Sequence, residues 1–167
     1  DRLAQWRDWY HSSHVLTLER ACKEARSMGI DASAAALAVA SANGQRLGLA
    51  ERAQFVQANW LESGWAHDLG RFDLVLCNPP YVESDAILDP DVREFEPATA
   101  LFAGPEGLDD YRAIVPQLGK LLVPGGVAIF EIGAGQAEAV GAIASESVFT
   151  VETRRALADR PRALILR

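Results

Sequence analysis

An apolar run that stops abruptly constrains this chain more than any other feature. Phe72-Asp73-Leu74-Val75-Leu76-Cys77 reads as a buried strand, and Asn78-Pro79-Pro80-Tyr81 follows it at once. Two prolines lack N–H donors and hold φ fixed, so the strand ends there and the turn carbonyls are aimed at one place. Asn78 then stands at the carboxyl end of the strand, the rim where open α/β sheets bind ligands. Its side chain offers one acceptor oxygen and two donor hydrogens. Tyr81 adds a flat ring. An acceptor carboxamide, an acceptor carbonyl and a ring suit a planar group bearing an NH₂, either a nucleobase amine or an amide. A plain strand-ending turn is the bland alternative, and four residues in this order after a strand speak against it.

The rest of the chain supports an α/β domain. At 167 residues and 49% hydrophobic content it has the size and composition of one globular core. A helix is expected over residues 15–25, with Leu18, Ala21, Cys22 and Ala25 on one face. Met28-Gly29-Ile30-Asp31 reads as a short strand ending in an acid. Ser33 can cap a helix over residues 34–47, which stops at Gly48. Ala53 to Gln57 is a further strand, followed by Asn59-Trp60. Leu108, Tyr111, Val115, Leu118 and Leu122 keep helical spacing, and Pro116 should split that helix. Pro124-Gly125-Gly126 reads as a turn, residues 127–132 as a strong strand, and residues 136–146 as a helix. Residues 148–153 and 163–167 read as two strands joined by so short a link that an antiparallel pair is expected. Alternating strands and helices with a closing hairpin give a mostly parallel sheet with helices on both faces.

Charge and composition exclude some function classes. The net charge of −7 argues against tight non-specific binding to a phosphate backbone. No run of about 18 apolar residues suggests a membrane span, and the N-terminus lacks a signal-peptide pattern. Cys22 and Cys77 have no metal-ligand spacing and read as plain thiols of a reducing, cytoplasmic compartment. His11 and His14, three apart, have no third ligand nearby, so no metal site is expected. Residues 83–97 hold six acids against one arginine, either a solvated loop or a rim segment that receives a substrate. Gly133-Ala134-Gly135 before a helix is only a partial dinucleotide fingerprint.

Two positions fit a nucleotide-like ligand. An acid ending the second strand of such a fold, here Asp31, accepts from ribose hydroxyls, although it would also suit a helix start beside Ser33. Trp60 could cover an adenine ring or simply pack. With Asn-Pro-Pro-Tyr after a later strand, these positions match a Rossmann-like class I S-adenosylmethionine-dependent methyltransferase fold.

A longer stretch narrows the family. Phe95-Glu96-Pro97-Ala98, then Ala100-Leu101-Phe102-Ala103-Gly104, then Gly107-Leu108-Asp109-Asp110-Tyr111-Arg112 resembles the peptide chain release factor N(5)-glutamine methyltransferases. Gly29-Ile30-Asp31-Ala32-Ser33 and Phe130-Glu131-Ile132-Gly133 fit the same family. The resemblance covers residues 15–167, the catalytic domain, and sets residues 1–14 apart as atypical. It implies S-adenosyl-L-methionine as cofactor and a release factor as partner. It places Asp31 on the ribose, Trp60 and Asn59 along the adenine, and Asn78 beside the cofactor. Asn78 and the Pro79 carbonyl would hold the substrate amide, with Pro80 shaping the turn and Tyr81 packing against it. An acid usually precedes the tryptophan in this family; Asn59 stands there in this chain.

Two further departures are expected to matter. The family's helical recognition domain is not found in this sequence. Its glycine-rich loop should fall at about residues 5–14, yet the first glycine is Gly29. Trp, Tyr and His side chains would obstruct the close backbone approach that such a loop provides. Residues 1–14 are thus read as foreign to the family, as from a truncated or frame-shifted gene, with the first strand missing and cofactor affinity much reduced. Two other functions stay open: an adenine-amino methyltransferase of DNA or RNA, and an inactive remnant or binding module that keeps the fold.

Overall fold

The computed structural model describes residues 24–87, 97–156 and 159–167. The expected helix over residues 15–25, the two N-terminal histidines, Cys22, the atypical head and the question of a missing first strand all fall, wholly or nearly so, outside the described residues. The chain forms two compact units, Asp1–Trp65 and Ala66–Arg167.

In the first unit, strands β1 (Ser27–Asp31) and β2 (Ala53–Gln57) pair in parallel, with Asp31 opposite Gln57. Helix α1 (Ala34–Arg46) connects them and packs on both. Ser33 caps it as expected, its Oγ accepting from the Ala36 N–H at 3.3 Å. Leu49 and Ala53, with Phe55 against them, form a small core.

The second unit holds a four-stranded sheet in the order β3-β4-β6-β5. Strand β3 (Phe72–Cys77) has the expected bounds and pairs in parallel with β4 (Leu122–Glu131). Strand β6 (Pro161–Leu166) is antiparallel to β4 and to β5 (Val151–Arg155), which makes the expected closing hairpin. Helix α2 (Asp109–Ile114), a 3₁₀ turn (Val115–Gln117) and helix α3 (Leu118–Leu121) follow one another. The break falls at Pro116, whose missing N–H cannot continue the ladder. All five residues picked out by spacing in this stretch are buried. Helix α4 (Ala137–Glu146) lies against β5 and β6.

Two boundaries differ from the sequence reading by more than two residues. Strand β4 begins five residues early, at Leu122. Leu122 pairs with Phe72 and Val127 with Leu74, so residues 123–126 bulge out opposite Asp73 alone. The Pro-Gly-Gly turn is therefore an excursion within a strand, and Gly125 takes φ +81° in it. The last hairpin starts at Val151, not Val148. Val148 takes φ +67° and closes α4, with its N–H on the Ser145 carbonyl at 3.0 Å. Among the described residues no helix is long and apolar enough to cross a membrane.

Candidate active site

Asn78 stands where expected, directly after β3. It is exposed, and Pro79 behind it is fully buried. Neither the Asn78 carboxamide nor the Pro79 carbonyl is hydrogen-bonded to a described residue. Among the described residues, two acceptors on a proline-stiffened turn are thus uncommitted, one on exposed Asn78 and one on buried Pro79.

The backbone beyond the turn is held firmly. Val82 forms a parallel bridge with Phe102. Its N–H donates to the Leu101 carbonyl at 2.8 Å, and its carbonyl accepts from the Ala103 N–H at 2.9 Å. Ser84 N–H then reaches the Gly104 carbonyl at 2.9 Å. The stretch Leu101-Phe102-Ala103-Gly104 therefore acts as a short false strand that fixes the exit from Asn-Pro-Pro-Tyr. Gly104 leads through Gly107 into α2, whose Tyr111 is fully buried and donates its hydroxyl to the Glu131 carbonyl at 2.8 Å.

Tyr81 is half-buried and gripped from β6. The Arg162 guanidinium carbon lies 5.8 Å from its ring centroid, and Arg162 Nη1 donates to the Tyr81 hydroxyl at 3.4 Å and to the Ile132 carbonyl at 3.2 Å. Arg162 Nη2 also stands 3.7 Å from the Glu131 carboxylate. Beneath the turn, loss of solvation and then the Asp110 carboxylate push the Cys77 thiol up to about 12. Cys77 is thus a neutral packing group at pH 7. Burial likewise raises the Tyr111 phenol, so it stays a donor.

In the first unit, Asp31 and Asn59 stand at the carboxyl ends of neighbouring strands, where the Asp31 carbonyl accepts from the Ala58 N–H at 3.2 Å. Asp31 Oδ1 accepts from the Ser33 N–H at 2.7 Å, while Oδ2 makes no hydrogen bond to a described residue. The acid therefore closes the helix-start turn with one oxygen. The Asn59 carboxamide is more committed, its oxygen taking the Leu61 N–H at 3.1 Å and its nitrogen reaching Glu62 at 3.5 Å. Trp60 follows it and is half-buried.

No model of a known protein family matches the chain. Individual proteins do. The release factor glutamine methyltransferase of Caulobacter vibrioides is 45% identical over 121 residues, 71% of this chain and 41% of that protein. The protein of the same name from Agrobacterium fabrum is 40% identical over 138 residues, 81% of this chain and 46% of its own length. By sequence, this chain is a relative of the release factor glutamine methyltransferases. It spans less than half the length of these two. A methyltransferase from Pyrococcus furiosus superposes with a TM-score of 0.65 over 90% of this chain and 66% of that chain, at 12% identity. The fold is that of the class I S-adenosylmethionine-dependent methyltransferases.

Against that family background the sequence-predicted positions fall into two sets. Asp31, Asn59 and Trp60 belong to the first unit, and residues 78–81 to the second. The structure adds Gln136 and Arg162, neither of which stands out in the sequence. Gln136 reads there as the first residue of a helix, and Arg162 falls just ahead of the last expected strand. The one available signal was the turn Gly133-Ala134-Gly135 ahead of Gln136, which leaves its side chain room to fold back.

Proposed function

We propose that this chain is the catalytic domain, residues 15–167, of an S-adenosylmethionine-dependent methyltransferase acting on a glutamine side-chain amide of a peptide chain release factor. One observation carries the reading: the uncommitted Asn78 and Pro79 acceptors sit on a turn whose exit is bolted down by Leu101-Phe102-Ala103-Gly104. The names of the related proteins, with the −7 net charge, favour an amide over a nucleobase.

The chemistry follows from the two acceptors. A primary amide presents two hydrogens in one plane, and the Asn78 Oδ1 and the Pro79 carbonyl can each take one. Amide nitrogen is a poor nucleophile because its lone pair is delocalised. Holding both hydrogens on acceptors favours a more pyramidal nitrogen, and fixing its place removes much of the entropic barrier. Tyr81, held by Arg162, packs beside the amide. The nitrogen gains a methyl group and one of its protons leaves to water. No covalent enzyme intermediate is needed.

The residues of the first unit fit the cofactor in part. Asp31 Oδ2 suits a ribose hydroxyl, and Trp60 an adenine ring. Asn59 would add a backbone contact, since its side chain serves the local turn. S-adenosylmethionine, when bound, supplies the methyl group.

The test is incubation with labelled S-adenosylmethionine at high concentration and either a release factor or nucleic acid. Label on one glutamine of the factor, lost in Asn78→Ala, supports the proposal. Label on nucleic acid would instead mark an adenine-amino enzyme, and none on either would mark a remnant.

A further inference from the structure

Gln136 lies one residue ahead of α4, and its side chain folds back across the turn after β4. Its Oε1 accepts from the Gly133 N–H at 3.0 Å. Its Nε2 donates to the Tyr81 carbonyl at 3.0 Å and to the Gly107 carbonyl at 3.1 Å. A primary amide has two donor hydrogens and an oxygen with two lone pairs, so three of its four places are filled. The three partners come from three separate segments: the end of Asn-Pro-Pro-Tyr, the turn before α2 and the turn after β4.

The surroundings are built around this side chain. A Cβ on Gly107 would collide with the Tyr81 carbonyl and come within 2.8 Å of Gln136 Nε2. A Cβ on Gly133 would come within 2.8 Å of Gln136 Oε1. Both glycines leave the space that the amide fills. No other residue type makes this brace: Asn is a methylene shorter, Glu loses the donors, and Met fills the volume without any hydrogen bond.

We propose that Gln136 is a positioning residue for the Asn-Pro-Pro-Tyr loop. It clamps the carbonyl of Tyr81, two residues beyond the Pro79 acceptor, and so fixes the direction in which Asn78 and Pro79 meet the substrate amide. Arg162 holds the ring of Tyr81 and Gln136 holds its backbone; between them the loop cannot roll about its axis. The catalytic consequence rests on the glutamine-amide function proposed above. The brace itself does not.

The experiment compares the wild-type chain with Gln136→Met and Gln136→Glu by peptide-level hydrogen exchange and by methyl transfer to a release factor. The brace predicts exchange faster by about tenfold or more in residues 78–84, with β4 and α4 still protected. It also predicts kcat lower by about 10- to 100-fold with the KM for S-adenosylmethionine unchanged. Unchanged exchange in residues 78–84 in both variants overturns the proposal. So does loosening spread equally through β4 and α4, which marks a merely structural residue. If the wild-type chain transfers no methyl group, the functional reading fails by itself, and the exchange data alone decide whether the brace exists.

Discussion

Replacing Gly107 by alanine should destabilise the second unit well beyond the ordinary cost of a lost glycine. Gly107 takes φ +65°, where a side chain costs about 1–2 kcal/mol. The added Cβ would also strike the Tyr81 carbonyl, a backbone atom held by the Val82–Phe102 bridge, and press on Gln136 Nε2. Relief must come from the two Gln136 donations, each contributing about 0.5–1.5 kcal/mol. Alanine returns about 0.4–1 kcal/mol by restricting the unfolded chain. The expected net loss is about 2–4 kcal/mol. Gly125→Ala is the control. Gly125 takes φ +81° in the same unit, but nothing lies within 4 Å of its added Cβ. Only the backbone term applies there, for a net loss of about 0.5–1 kcal/mol. Urea unfolding of both variants separates the two terms, since their midpoints should differ by about 1 M at an ordinary slope. Equal midpoints would refute the claim that close approach, rather than φ alone, requires glycine at position 107.

Other substitutions probe single contacts. Tyr111→Phe keeps the ring, 6.1 Å from that of Phe130, and removes the hydroxyl bond to Glu131; it should cost about 1 kcal/mol, whereas Tyr111→Ala should cost about 3–5, both read by urea midpoint. Val148 is 91% exposed at φ +67°, so Val148→Gly should stabilise by about 0.5–1 kcal/mol, and a loss on thermal melting would contradict the assigned strain. Burial raises the Cys77 thiol from 9.0 to about 12, so its contribution to stability is complete below about pH 9 and is lost as pH rises towards 12. At pH 8 its peptide should alkylate slowly in the folded chain and rapidly in urea, as mass spectrometry would show.

What was legible in the sequence divides along physical lines. The bounds of β3 were readable because a short apolar run ended in two prolines that cannot continue a strand. The start of α1 was readable because Ser33 caps within three residues. Pro116 announced its own break. Each of these is a local effect. The start of β4 was hidden because pairing with Phe72 resumes a strand across a Pro-Gly-Gly bulge, and only the neighbouring strand decides that. The left-handed turn at Val148 was hidden because valine ordinarily avoids it. The largest omission was Gln136, whose bonds to Tyr81 and Gly107 cross 55 and 29 residues. No period or spacing encodes such a contact. The Asn-Pro-Pro-Tyr acceptors were legible; what holds them in place was not.

The most direct test of the central claim is methyl transfer from labelled S-adenosylmethionine to an intact release factor, at cofactor concentrations raised well above the usual micromolar range. The account predicts label on a single glutamine side chain, absent when that glutamine is replaced and absent with Asn78→Ala. Label that persists in Asn78→Ala, or that enters nucleic acid and not the factor, would contradict it.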